Sequence, residues 1–146
     1  MPLVSGVISF LCIVKILMLH QHFKTPMGGG AIRSYYLARA LTDAGHRVVV
    51  ITSGNDNHRR ILAMEGIEIH FLPIPYDNRM KFYERGQAFV RYVIRASAAA
   101  RPYKDFDVCY AISVPLTVGI IARWLKFRFG LPYIFEVGDL WPDAPI

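Results

Sequence analysis

Carboxylates and cysteines are scarce in this chain: 11 Asp and Glu stand against 17 Lys and Arg, and 2 cysteines occur in 146 residues. The formal charge of +6 points to an anionic partner, whether nucleotide, phospholipid surface or nucleic acid, and by itself does not choose among them. Cys12 and Cys109 each lie in an apolar run, where a thiol serves as a small buried hydrophobe. So few cysteines argue against a disulfide scaffold, and the two read as reduced thiols of a cytoplasmic protein. Metal ligands are equally thin. His20-x-His22 has no further Cys or His cluster to complete a zinc site, so the two read as ordinary strand-end histidines and no metal is expected. Apolar runs are short: Leu3 to Leu19 is broken by Lys15 and falls below the ~20 residues of a spanning helix. No basic residue precedes that run and no cleavage pattern follows it, which argues against a secretory leader. Residues 1–13 therefore read as sequence upstream of the functional start or as a short membrane-contacting extension, with the first strand beginning at Val14 or Lys15.

What remains is 53% apolar and 19% charged, the composition of one globular unit with its own core. Its most distinctive stretch is Met27-Gly28-Gly29-Gly30-Ala31-Ile32-Arg33, between the apolar run Val14 to Leu19 and an amphipathic pattern beginning near Ala31. Glycine has no Cβ, so a strand-to-helix bend of Gly28, Gly29 and Gly30 lets backbone N–H groups approach an anion at the positive end of the helix dipole. A flexible turn without a ligand would use the same residues, and the glycines alone leave both readings open.

Strand and helix patterns alternate along the chain. Lys15 to His20 is a continuous apolar run of the kind buried on both faces of a parallel sheet. Ala31 to Ala44 places Ile32, Tyr36, Leu37, Ala40, Leu41 and Ala44 on one helical face, with Gly45 as a left-handed cap. The β-branched run Arg47 to Thr52 is the second strand, reached by a right-handed crossover. A polar loop, Gly54 to Arg60, leads to a short helical piece, Ile61 to Glu65, and then to a third strand, Ile67 to Leu72. After the break Pro73 to Asn78, a long helix of about Met80 to Ala100 buries Phe82, Phe89, Val90, Val93, Ile94 and Ser97. Lys81, Arg85, Arg91 and Arg95 make that helix the basic part of the chain. A fourth strand, Asp107 to Ala111, a helix of about Leu116 to Phe129 stopped by Gly130-Leu131-Pro132, and a fifth strand, Tyr133 to Val137, follow. Five strands separated by helices predict an α/β, doubly wound parallel sheet, a Rossmann-like fold. Ligands of such sheets bind beyond the carboxyl ends of the strands, where Gly28–Gly30 and Glu136–Asp139 should be neighbours.

Four segments together resemble the amino-terminal domain of retaining, family-four glycosyltransferases of the GT-B class. They are Lys15-Ile16-Leu17-Met18-Leu19-His20-Gln21-His22-Phe23, the three glycines, Leu37 to Leu41 through Ala44-Gly45-His46-Arg47-Val48, and Phe135-Glu136-Val137-Gly138-Asp139-Leu140-Trp141-Pro142. The resemblance spans about Val14 to Ile146 and is closest to bacterial enzymes of O-antigen and capsule synthesis, including those of N-acetylfucosamine type. It implies two Rossmann-like halves facing across a cleft, with residues 14–146 as the acceptor-side half, incomplete, and the carboxy-terminal donor half absent. It also implies that Gly28, Gly29 and Gly30 approach the diphosphate of a nucleoside-diphosphate sugar, which is a substrate; no cofactor is expected. Fixed amide dipoles suit that task because the departing diphosphate gains negative charge. Where the family carries a histidine and aspartate at the end of the fifth strand, this chain reads Gly138-Asp139. Asp139 and Glu136 are the candidates for orienting the acceptor hydroxyl or taking its proton. Their structural alternatives are a loop cap for Asp139 and an arginine pair for Glu136. Retention by front-face attack, assisted by the leaving phosphate, is implied by the family alone.

The resemblance further implies a lipid-linked or growing bacterial surface glycan as acceptor. Lys81, Arg85, Arg91 and Arg95, with Phe82, Phe89 and Tyr92, would then face an anionic membrane, making the protein cytoplasmic and peripheral at the inner membrane. A solvated charged face over an ordinary core helix is the alternative. The chain alone is expected to be inactive, because the donor-side contacts are missing. Two other classes fit less well. A dinucleotide-dependent oxidoreductase calls for Gly-x-Gly-x-x-Gly and an acidic residue ending the second strand, where this chain has Thr52-Ser53. A non-catalytic membrane- or partner-binding module is the other; nucleic acid lacks a recognition element and is not expected as a partner.

Overall fold

The computed structural model describes residues 12–29 and 32–138; the expected site residues Gly30 and Asp139 lie outside the described residues. The strands are β1 (Lys15–Leu19), β2 (Arg47–Gly54), β3 (Arg60–Met64), β4 (Ile67–Pro73), β5 (Val108–Ile112) and β6 (Tyr133–Glu136), and the helices are α1 (Arg33–Asp43), α2 (Phe82–Ala100) and α3 (Val118–Phe129). They form one sheet of order β3-β4-β2-β1-β5-β6, parallel throughout except where β3 meets β4. Apolar β-branched runs settle in the centre because both faces there are covered. Leu17, Met18 and Leu19 of β1 and Val49, Val50 and Ile51 of β2 are fully buried. One face, with Ile16, Met18, Val48 and Val50, is covered by α1. The other, with Leu17, Leu19, Val49 and Ile51, is covered by α2 and α3. This is the expected doubly wound α/β architecture, with six strands among the described residues in place of five.

The extra strand is the segment Ile61 to Glu65, expected as helix. It belongs to β3, paired antiparallel with β4 so that Met64 lies opposite Ile67. Glu65 (φ 50°) and Gly66 (φ 81°) join the two strands, and both left-handed residues are what a two-residue hairpin turn requires. A piece this short cannot recover the cost of helix nucleation, whereas as a strand it gains a ladder against β4. The turn is fastened to α1: Arg39 Nη1 donates to Glu65 Oε1 at 2.6 Å, and the Tyr35 hydroxyl donates to Glu65 Oε2.

Both long amphipathic helices sit rotated from the faces expected. On α1, Ser34, Tyr35 and Ala38 are buried with Leu37 and Leu41 half-buried, while Tyr36, Ala40 and Ala44 face outward. On α2 the buried stripe is Ala88, Tyr92, Ala96, Ala99 and Ala100. Phe82 is 89% exposed, and Val90 and Ile94 are also exposed; Phe89, Val93 and Ser97 are half-buried. Alanines let the helix axis come close to the sheet, and dense packing against that surface outweighs the burial of bulkier rings elsewhere. Tyr92 is fully buried, its hydroxyl donating to the Ile51 carbonyl at 2.6 Å. The left-handed caps are where expected: Gly45 (φ 91°) after α1 and Gly130 (φ 73°) after α3. Cys109 is buried, its thiol pushed up to about 12 by burial, whereas Cys12 is exposed, contrary to the buried position expected of it. No helix among the described residues is long and apolar enough to cross a membrane.

The order of the strands fixes where a ligand can sit. From β1 the chain moves outward through β2 to β4, then returns to the opposite flank of β1 as β5 and β6. The crevice beyond the carboxyl ends of β1 and β5 is therefore the topological switch point.

Candidate functional site

On the α1 side of that crevice, four elements bring polar side chains together. Glu136 ends β6; Arg33, the first residue of α1, places Nη1 2.5 Å from its Oε1, and the Tyr110 hydroxyl of β5 donates to Oε2. His20 follows β1 directly, and its Nδ1 lies 2.9 Å from Ser34 Oγ on α1. Burial, then the neighbouring His22, push His20 down to about 4; Glu136 opposes the shift and Arg33 adds to it. His20 is consequently a neutral imidazole near pH 7. Burial and the bond to Glu136 hold the Tyr110 phenol above its ordinary value, so it remains a donor.

The glycine bend leads into this cluster. Pro26–Gly28 forms a 3-10 turn in which Gly28 N donates to the Thr25 carbonyl at 2.9 Å. Gly29, at φ 65° and ψ 173°, takes a conformation open essentially to glycine alone. A Cβ built at Gly28 or Gly29 meets nothing within 4 Å among the described residues, so the bend is not wedged against them. Four residues after Gly29 in sequence comes Arg33, which meets Glu136. The arginine pair that was the structural alternative for Glu136 is thus present. Beyond β6, Gly138 N donates to Ser113 Oγ at 3.0 Å, which keeps the exit from the sheet against the end of β5.

The α2 side of the crevice is aromatic and basic. His22 packs on Tyr76 with ring centres 4.4 Å apart and on Phe89 at 6.4 Å, and burial followed by Lys24 lowers its pKa. His20 and His22 thus leave β1 toward opposite helical layers. Gln21 between them is fully buried; its carbonyl accepts from Thr52 Oγ1 at 2.9 Å and Ser53 Oγ at 2.7 Å. Those hydroxyls, at the position where a dinucleotide-binding strand would end in a carboxylate, tie the ends of β1 and β2 together.

The four expected acceptor-face cations lie along α2 and its N-cap. Lys81 is exposed at the N-cap of α2, where its backbone N–H donates to Glu84 Oε2 at 2.8 Å. Arg85 is half-buried, Arg91 is exposed, and Arg95 Nη1 turns back to the Pro73 carbonyl at 2.5 Å. Tyr92, expected beside them, lies in the core. Of the expected rings Phe82 is exposed and Phe89 half-buried, and Tyr83 on α2 and Phe127 on α3 are exposed as well. A groove of about 780 Å³ with Ile120, Arg123, Trp124, Lys126, Phe127 and Tyr133 along it runs over α3, away from the switch point. Sequence reading passed over Arg33 and Tyr110; the one signal for Arg33 is that it opens the helix directly after the glycines.

Comparison with known proteins gives this geometry a family. The profile of the glycosyl transferase 4-like domain matches residues 28–146, a span that takes in the bend, Arg33 and Glu136. The chain belongs to that family. No curated protein matches it in sequence. Among solved structures it is similar to the C-terminal domain of a hydrogenase from Pyrococcus furiosus, in two structures with TM-scores of 0.58 and 0.57 at 14% identity. Each pairing covers 84% of this chain and 91% of that one. At that identity the likeness is one of fold. A glycosyltransferase from Rickettsia africae aligns at a TM-score of 0.45 and 13% identity, over 86% of this chain and 29% of that one. This glycosyl transferase 4-like chain is accordingly a transferase domain with a Rossmann-like fold, and a nucleotide-sugar donor and an acceptor are its partners.

Proposed function

We propose that the chain is the acceptor-side half of a retaining glycosyltransferase moving a sugar from a nucleoside diphosphate to a lipid-linked or growing bacterial surface glycan, of the O-antigen or capsule type. The observation that carries this reading is the family match over residues 28–146. The open bend at Gly28 and Gly29, beside the switch point, supports a seat for the diphosphate. There the bond from the anomeric carbon to the diphosphate oxygen breaks, and backbone N–H groups stabilise the charge that develops. We assign Glu136, at the end of β6, and Asp139, which follows closely in sequence, to the acceptor hydroxyl. Activity requires the donor-binding half that the family supplies. The test is transfer of label from a panel of nucleoside-diphosphate hexoses to lipid-linked acceptor by the full-length enzyme. Transfer lost on replacing Gly29 with alanine supports the reading, and transfer unaffected by it overturns the assigned seat.

Membrane contact belongs to the same proposal, with its residues revised. Phe82, Tyr83, Val90 and Ile94 of α2 and Phe127 of α3 are exposed on the one side of the sheet covered by those helices. Arg91 of α2 and Arg123 and Lys126 of α3 accompany them. Rings that enter the headgroup layer and cations worth ~1 kcal/mol each near an anionic surface form a peripheral anchor. Sedimentation with anionic but not neutral vesicles, reduced in Phe82→Ser and Phe127→Ser, is expected; equal sedimentation with both vesicle types removes the anionic-surface reading.

A further inference from the structure

Arg33 connects the glycine bend to the acidic end of β6, and its bonding is lopsided. Its side chain is 70% exposed, and its carboxylate partner among the described residues is Glu136, 20% exposed, at 2.5 Å. Glu136 has a second holder, since the Tyr110 hydroxyl donates to its other oxygen. Losing Arg33 therefore leaves Glu136 bonded and in place. A guanidinium carries five N–H donors in a planar fork, and one of its terminal nitrogens makes this contact, so most of the fork is open to a second anion.

We propose that Arg33 is a ligand of the donor's diphosphate, held beside the bend by Glu136 until the donor arrives, and that this exchange turns the Glu136 carboxylate toward the acceptor hydroxyl. The inference rests on reading Gly28 and Gly29 as the diphosphate seat. A diphosphate carries more charge than one carboxylate and offers paired oxygens to the fork, so it competes successfully for Arg33. The contact strengthens as the departing diphosphate gains charge. Glu136, still anchored through Tyr110, then presents a free Oε1 as hydrogen-bond acceptor. Donor binding and acceptor orientation become one event.

Inorganic pyrophosphate titrated calorimetrically into the chain tests this, with the melting temperature of each variant measured alongside. Arg33→Gln should bind about tenfold more weakly, the loss of a charge-assisted hydrogen bond. Glu136→Gln should bind roughly two- to fivefold more tightly, because the competitor for the guanidinium is gone. Opposite signs in the two variants are the signature of exchange. If both lower the melting temperature and neither changes pyrophosphate affinity, Arg33 is a structural strut and the proposal falls. If Gly29→Ala weakens binding while Arg33→Gln does not, the glycine seat stands and the assignment of Arg33 fails. Wild-type protein that binds no pyrophosphate overturns both.

Discussion

Acidification should destabilise this protein through His20 in a narrow and calculable window. An unfolded histidine titrates near 6.5, and His20 in the fold is pushed down to about 4, first by burial, then by His22. Between those values the unfolded chain holds the extra proton and the folded chain does not, so stability falls as pH drops from 6.5 to about 4 and is flat on either side. Each tenfold drop in the proton affinity of the folded imidazole is worth about 1.4 kcal/mol, so the loss across the window amounts to about 3 kcal/mol. Glu136 works against this and Arg33 with it, so replacing Glu136 by glutamine should enlarge the loss. The assay is urea unfolding at intervals from pH 7.5 to 4, comparing wild type with His20→Asn, whose amide can still reach Ser34 Oγ. Other acid-sensitive groups, among them Glu68 with its lowered pKa, act in both proteins and cancel in the difference. The two curves should converge by about 3 kcal/mol across the window. Parallel curves would refute the argument, and with it the neutral imidazole at the end of β1.

Three further substitutions probe the fold that holds the site. Gly66→Ala puts a Cβ 2.6 Å from Thr42 Cγ2 at a residue with φ 81°, and denaturant unfolding should show a loss of about 1–3 kcal/mol; a neutral result would put the hairpin turn in doubt. Tyr92→Phe removes the buried donor to the Ile51 carbonyl, which still accepts from His20 N at 3.3 Å, so thermal unfolding should register about 1 kcal/mol. Gly119→Ala brings a Cβ within 3.1 to 3.3 Å of the Phe135 ring, and displacing that ring from α3 should cost about 1–3 kcal/mol and speed amide exchange along β6.

Much of this was legible along the chain because it depends on neighbours in sequence. The β-branched run Arg47 to Thr52 can only be a covered strand, and Gly45 and Gly130 each stand where a helix must turn left-handed. The segment Ile61 to Glu65 was not legible, since its residues favour a helix when taken alone and its partner strand decides otherwise. The face of α2 escaped for a related reason. Periodicity weighs hydrophobicity, whereas the sheet selected the alanines that permit close approach and left Phe82 outside.

The amino-acid order by itself determined an alternating α/β chain, a glycine bend before its first helix and a carboxylate at the end of its last strand, because each is a local matter of side-chain size, backbone freedom and period. Only the tertiary structure decided that Arg33 would meet Glu136, that Tyr110 would hold the other carboxylate oxygen, and that His20 would lose its proton. Those contacts join residues on β1, α1, β5 and β6, and their energies come from the geometry and desolvation that sheet order imposes, for which linear sequence carries no measure.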